Sequence, residues 1–473
     1  MEQRSIREIA AWAGGHYEGP DLPVAGVRID SRSIVRGDLF VALRGKNQDG
    51  HEFLGEAFAS GAAAALVERE EFVATHRGMG RALIVVPDVR RALGAIAARY
   101  RRALGFRVVG VTGSVGKTTT KEMLRLALGS GTAASPESFN NDLGVPLTLL
   151  GTSRTDSVCV VEIGTSGPGE IAALAAIAAP DVAVVLNVGE AHLEKLGNLE
   201  GVAREKGALV ESLGRDGCAV LNHDDPRTLA MTRRAPGPVL TFGMTPQADV
   251  YGDCVRAGRG SVSFQLFRKT RVRMGVFGTH HVPNALAAAA ASLWLGRNAA
   301  EVAERLSAFR PAPMRMAMEA VGGARLILDA YNANPRSAEA AVRELGRAGG
   351  SGRRILVLGD MLELGARASV YHERLGRLAA DSGITALWAI GPLSEATARG
   401  ARDAGLGSVF WSADVDDAIA HPPIRPRTRD VVLFKASRGM RLERLHDAIK
   451  EAIRARSRAG SATTARSGET LPA

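Results

Sequence analysis

Val108-Val-Gly-Val-Thr-Gly-Ser-Val-Gly-Lys-Thr-Thr-Thr-Lys121 sets an apolar β-branched run before a glycine-rich turn and a stretch of helix formers. Residues 106–111 read as a strand and residues 118–128 as a helix. The turn between them holds Gly113, Ser114, Val115, Gly116, Lys117, Thr118 and Thr119. Such a turn suits phosphate. Small residues let backbone N–H groups approach the oxygens, and a helix start favours negative charge. A lysine at 117 reaches the β and γ phosphates, and the Thr118 hydroxyl can hold Mg²⁺. The strict motif needs glycine where Val111 stands, so this is a variant. Gly116-Lys117-Thr118 still falls at the junction of strand and helix, which favours a nucleotide loop over an ordinary turn.

Outward from this loop, strand candidates recur at residues 158–163, 182–188 and 219–222, each followed by Gly, Asn or Asp and then a helical pattern. That alternation implies a parallel sheet. A proline-containing break at Arg310–Pro313 precedes a second series, with strands at 326–328, 355–358, 386–390 and 431–434. The expected fold is α/β with three domains, as the 473 residues suggest. A small mixed α/β domain spans 1–104, ending in an amphipathic segment at 89–104. A central phosphate-loop domain with a parallel sheet spans 105–311, and a C-terminal Rossmann-like α/β domain spans 312–455. Residues 456–473, rich in Ser, Ala, Gly, Thr and Arg without apolar period, read as a disordered tail.

Apolar residues make up 46% of the chain, enough for packed cores. Sixty Lys and Arg against 50 Asp and Glu leave +10, which fits either nucleic acid or anionic small substrates. No basic stripe is interleaved with aromatics, so a nucleic-acid-binding switch is disfavoured. Cys159, Cys218 and Cys254 are widely spaced and odd in number, which fits a reducing cytoplasm and offers no zinc pair. The longest apolar stretch, Ala285–Leu295, falls short of the roughly 20 residues that span a bilayer. No membrane insertion is expected.

Polar residues just past buried strands are candidate site residues, because ligands gather at the carboxyl ends of parallel strands. Glu162 ends the strand expected beside the phosphate-loop strand, where a carboxylate suits Mg²⁺. Glu170 reads instead as a first-turn helix acid. Asn187 and His192 follow the next strand. Asp329, Tyr331, Asn332 and Asn334 follow one strand of the third domain, Asp360 follows another, and Lys435-Ala-Ser437-Arg follows a third. Asp, Asn and Pro also favour turns on their own account. On residues alone, Lys206 is an exposed helix lysine and Arg315 is as consistent with a surface position as with a phosphate contact.

Taken together these segments resemble the Mur ligases. Thr112–Lys121 is similar to that family's ATP loop, and Asn140, Asn141, Gly144 and Pro146 match its Asn-Asn-x-x-Gly-x-Pro element. The resemblance implies that Glu162 and His192 bind Mg²⁺ together with Thr118, that Lys206 carries a carbamate, and that Lys117 acts on the phosphates. It further implies that Asn284 reads adenine, that Arg315 and Asp329 serve the nucleotide, and that Lys435 lies near the phosphates. Where the family has a His-Asn pair, this chain has His280-His281. In the first domain, Asp30-Ser31-Arg32 and the stretch through Asp49-Gly-His51 resemble its uridine-diphosphate segments.

Tyr331-Asn-Ala-Asn-Pro335 and Gly359-Asp-Met-Leu-Glu-Leu-Gly365 are similar to the member that adds D-alanyl-D-alanine to UDP-N-acetylmuramoyl-tripeptide. Substrate contacts are accordingly expected from Ser31, Arg32, Asp49, His51, Asn140, Asn141, Tyr331, Asn332, Asn334, Asp360, Lys435 and Ser437. The implied chemistry is ATP-driven formation of an acyl phosphate and its capture by an amine, by a cytoplasmic monomer of peptidoglycan synthesis. The alternatives are the amino-acid-adding Mur ligase that acts on the dipeptide nucleotide and the folate polyglutamylating ligase.

Overall fold

The computed structural model describes residues 1–45, 47–68 and 81–466, with side chains through residue 458. The strand Arg107–Thr112 lies inside a nine-stranded sheet, between Val158–Glu162 and Val182–Val185, and is parallel to both. All three are buried runs rich in valine, the composition of strands covered on both faces. The register sets Glu162 opposite Val111 and Val185 opposite Thr112. The carboxyl ends therefore finish level, around the start of helix Lys117–Leu128.

Parallel pairing continues through Cys218–Asn222 and Val239–Gly243 to Val250–Ala257. There the sheet turns antiparallel, with Val262–Leu266 and Thr270–Met274 added as a meander. The parallel sheet expected from sequence thus gains an antiparallel edge. These last strands alternate buried and part-exposed residues, as in a sheet wetted on one face.

The C-terminal sheet has the order Ala317–Val321, Ala324–Asp329, Val431–Lys435, Arg354–Gly359, Ala386–Ile390 and Val409–Ser412, with only the first strand antiparallel. Asp329 and Lys435 are register partners at the ends of adjacent strands. Helix Glu443–Arg466 runs past residue 455, where a disordered tail is expected from sequence. Buried Leu445, Ile449 and Ile453 anchor its first turns, and alanine and arginine propagate a helix without an apolar period. Residues 467–473 of that expected tail lie outside the described residues.

The first domain holds a five-stranded sheet within residues 16–85. Helix Val89–Leu104 joins it to the central domain. Leu93, Ile96, Ala97 and Tyr100 belong to one apolar cluster with Leu39 and Leu66 of the first sheet and Val108 and Val161 of the central one. The buried Tyr100 hydroxyl donates to Thr152 O at 2.6 Å and accepts from Glu2 N at 2.6 Å.

Candidate active site

The phosphate loop is held from beneath by the next strand. Ser114 N donates to Asn187 O at 3.1 Å, and the Asn187 side chain clasps Val115, accepting from its N and donating to its O, both at 3.0 Å. Gly116 is left-handed, at φ 89°, and a Cβ there would lie 2.4 Å from Asn284 Oδ1. Glycine is required on both counts. Asn284 projects from helix His281–Trp294, so the start of this helix and the phosphate loop touch.

Beyond the loop, Thr118 donates to Glu162 Oε2 at 2.6 Å, and Asn140 Nδ2 donates to Glu162 Oε1 at 2.8 Å. Glu162 is almost wholly buried. Lys117 Nζ donates to Gly113 O at 2.9 Å. Burial lowers the Lys117 pKa, Glu162 opposes that shift, and Arg315 adds to it.

The C-terminal domain closes the other side. Arg315 donates to Ser138 Oγ at 2.7 Å, with its guanidinium 4.0 Å from the Tyr331 ring centroid. Asn334 caps helix Pro335–Gly346 and reaches Ser114 O at 3.5 Å. Lys435 Nζ bonds Asp329 Oδ2 at 2.8 Å and Asn332 O at 3.0 Å. The half-open cleft, about 420 Å³, brings together Lys117, Thr118, Glu162, Asn140 and Asn284 with Arg315, Asp329, Tyr331, Asn332, Asn334 and Lys435. Ser114, Val115, Gly116 and Thr119 line it as well.

Other expected residues lie off the cleft lining, two of them near enough to Lys117 to feel its charge. His192 and Lys206 are not part of the cleft lining. His192 Nδ1 pairs with Glu363 Oε2 of the C-terminal domain at 3.2 Å, and no group of three His, Cys, Asp or Glu comes together as a metal cage among the described residues. Burial, then the charge of Lys117, lower the His192 pKa. Lys206 is buried, not the exposed helix lysine that the residues alone suggest. Its pKa is lowered to about 7, first by burial and then by Lys117, with Glu205 opposing.

Asp360, expected from sequence to contact substrate, lies off the cleft lining. Its carboxylate accepts from Ser394 N at 2.7 Å, Ser394 Oγ at 2.6 Å and Leu393 N at 3.2 Å, and so holds the start of helix Ser394–Asp403. Ser437 is likewise turned inward, accepting from Leu362 N at 3.0 Å and donating to Ala333 O at 3.4 Å. Asn141 accepts from Gly144 N at 2.9 Å and positions the helix that follows. Ser31, Arg32, Asp49 and His51 lie in the first domain, outside the cleft. There Arg32 pairs with Asp30 at 2.7 Å, and His51 Nδ1 bonds Asp49 at 2.6 Å.

Ser138, Asn222, Arg336 and Ser337 line the cleft without having stood out in the sequence. Asn222 ends a buried strand, as Asn187 does, and that position was its only signal. His280 and His281 line the cleft too, with ring centroids 4.2 Å apart. Burial pushes both pKa values down, His281 well below the usual imidazole value, and neither His281 ring nitrogen has a hydrogen-bond partner among the described residues.

Fold and site together define a phosphate-loop enzyme whose nucleotide cleft is completed by a second α/β domain. Family models described as the Mur ligase middle domain, the Mur ligase glutamate ligase domain and the Mur ligase family catalytic domain match residues 111–292, 314–438 and 23–101. The chain belongs to the Mur ligase family. It is 33% identical to the UDP-N-acetylmuramoyl-tripeptide--D-alanyl-D-alanine ligase of Bacillus subtilis, covering 94% of this chain and 98% of that protein. The Escherichia coli protein of the same name is 34% identical with the same coverage. Among solved structures, MurF from Acinetobacter baumannii superposes with TM-score 0.86 at 30% identity, covering 95% of this chain and 99% of its own. MurF ligase from Thermotoga maritima in complex with ADP gives 0.81 at 30% identity, covering 92% and 99%. No helix among the described residues is long and apolar enough to cross a membrane.

Proposed function

We propose that this chain is an ATP-dependent ligase that joins D-alanyl-D-alanine to UDP-N-acetylmuramoyl-tripeptide, a step of peptidoglycan precursor synthesis and so of cell-wall growth and division. The observation that carries the reading is the cleft, in which one domain supplies a phosphate loop and another an arginine, a lysine and an amide-rich rim. Relatives that match nearly the whole chain bear the name of this activity. The single-amino-acid-adding ligase is the weaker reading, because its solved representative superposes at 20% identity and shares only the fold.

A carboxylate repels nucleophiles and lacks a leaving group. Its oxygen attacks the γ-phosphorus of ATP, the bond to the β-γ bridging oxygen breaks, and ADP departs. The amine then attacks the acyl carbon and phosphate leaves. Lys117 and Arg315 neutralise charge that develops on the transferring group. Domain closure keeps water from the acyl phosphate. Thr118 and Glu162 present adjacent hard oxygen donors at the phosphate loop, a pairing that fits Mg²⁺, which keeps substrate phosphates among its ligands. When bound, the ion supplies positive charge to the phosphate oxygens. His192 pairs with Glu363 through Nδ1, which leaves Nε2 as the nitrogen that would serve as a further ligand.

Lys206 is proposed to carry a carbamate. Its burial, with a pKa lowered to about 7, supports this, since only a neutral amine captures carbon dioxide. The first domain is proposed to take the uridine diphosphate through Ser31, Arg32, Asp49 and His51, and the enzyme to act as a cytoplasmic monomer. Purified protein given ATP, the tripeptide nucleotide and D-alanyl-D-alanine should release phosphate and yield the pentapeptide nucleotide by mass. Product from a single diamino acid and the dipeptide nucleotide instead would move the assignment to the sister ligase.

A further inference from the structure

Arg315 meets the central domain at Ser138, a residue outside the sequence-derived site. A guanidinium can only donate and a carboxylate can only accept, so the direction of each contact follows. Arg315 gives a hydrogen bond to Ser138 Oγ at 2.7 Å, and Thr118 gives one to Glu162 Oε2 at 2.6 Å. The remaining contact, 3.3 Å between the hydroxyls of Ser138 and Thr118, then runs from Ser138 to Thr118. One unbroken series leads from the C-terminal domain to the carboxylate at the phosphate loop, and Asn140 fixes the far oxygen of that carboxylate at 2.8 Å.

The loop that carries Ser138 is rigidly backed. Lys121, fully buried on the phosphate-loop helix, donates to Ser135 O at 2.5 Å and Glu137 O at 2.6 Å, and Glu162 N donates to Ser135 Oγ at 3.0 Å. Glu137 holds a left-handed φ of 40°, a conformation that needs such support in a residue with a side chain. The backbone that carries Ser138 is thus held beside the phosphate-loop helix by contacts that do not involve Arg315.

We propose that Ser138 is a positioning residue that couples docking of the C-terminal domain to the orientation of Thr118 and Glu162. The proposal rests on the nucleotide reading of the cleft but not on the identity of the acceptor substrates. When Arg315 docks, the Ser138 hydroxyl proton is directed at Thr118, and the Thr118 proton at Glu162. Without Arg315 the Ser138 hydroxyl is free to rotate, and the pair loses a fixed orientation.

The test is a double-mutant cycle on S138A and R315A, read by ADP affinity in chelator-treated buffer and by compaction in small-angle scattering. Neither readout needs the peptide substrates, so an error in their assignment leaves the cycle interpretable. Each single variant should weaken ADP binding several-fold and reduce ADP-linked compaction, and the double variant should be no worse than R315A alone. S138T, which keeps the hydroxyl, should restore both. In turnover, S138A should lower kcat about tenfold with little change in KM for ATP, the loss of one charge-assisted hydrogen bond. Should S138A fold poorly, S138C keeps the size while losing most of the bond. Additive effects, parental behaviour of S138A or S138C, or failure of S138T to rescue would overturn the coupling.

Discussion

Lys206 has the most distinctive environment of any single residue here. Exposed lysine is neutral in about one part in a thousand at about pH 7.4. A pKa lowered to about 7 makes the neutral amine a major species under the same conditions. Its titration has a definite sign: below pH 7 the ammonium form excludes carbon dioxide, and above it capture becomes possible. With carbon dioxide held limiting and constant, activity should rise as pH increases through about 7. Lys206→Ala should be nearly inactive and partly restored by formate, and Lys206→Arg should be inactive without rescue. A parental rate for Lys206→Arg, or an unmodified lysine by mass in active protein, would end the carbamate proposal. For Lys117, replacement by alanine should cost at least about a hundredfold in turnover while circular dichroism stays unchanged, because the lysine answers charge that develops only during transfer.

Strand ends carry most of the site, and they also show where a sequence misleads. Asp329 and Asp360 look alike on paper, each an aspartate that closes a buried strand and opens a polar turn. One pairs with Lys435 across a parallel register and lines the cleft. The other is taken by Ser394, which lies far along the chain and could not be anticipated from the local pattern. Glu162, Asn140, Asn284 and Arg315 were legible because a motif or a family resemblance fixed their neighbours. Ser138 and Arg336 were not, because their importance lies in contacts between domains. The antiparallel edge at 250–274 escaped notice because its short alternating strands follow a parallel series. Asp360→Ala should destabilise the C-terminal domain by about 2 kcal/mol in urea melts, the cost of stranding buried donors, while ADP affinity stays within about twofold.

At the scale of the molecule, the cleft exists only while the C-terminal domain is docked. Besides Arg315 and Asn334, Arg336 reaches across to Val188 O at 2.5 Å and to Asp225 at 3.1 Å, and Thr279 bonds Glu344. Arg336 leaves a buried carboxylate behind when removed, since Asp225 is largely shielded from water. Arg336→Ala should therefore enlarge the radius of gyration of the nucleotide-free protein in small-angle scattering and raise KM for ATP more than it lowers kcat. An unchanged scattering curve would mean that the remaining contacts hold the domain without it.

Helix Val89–Leu104 gives the three large sheets an unequal partnership. Its buried face is shared by the first two domains, whereas the C-terminal sheet is packed on both sides by residues almost entirely its own. Scanning calorimetry should resolve two cooperative transitions instead of three, with the C-terminal domain melting as a separable block. The same partition bears on recombination between related ligases. A crossover near residue 312 exchanges a domain that brings its own interior, but a crossover near residue 104 would cut through a single interior and demand that both parents agree on its shape.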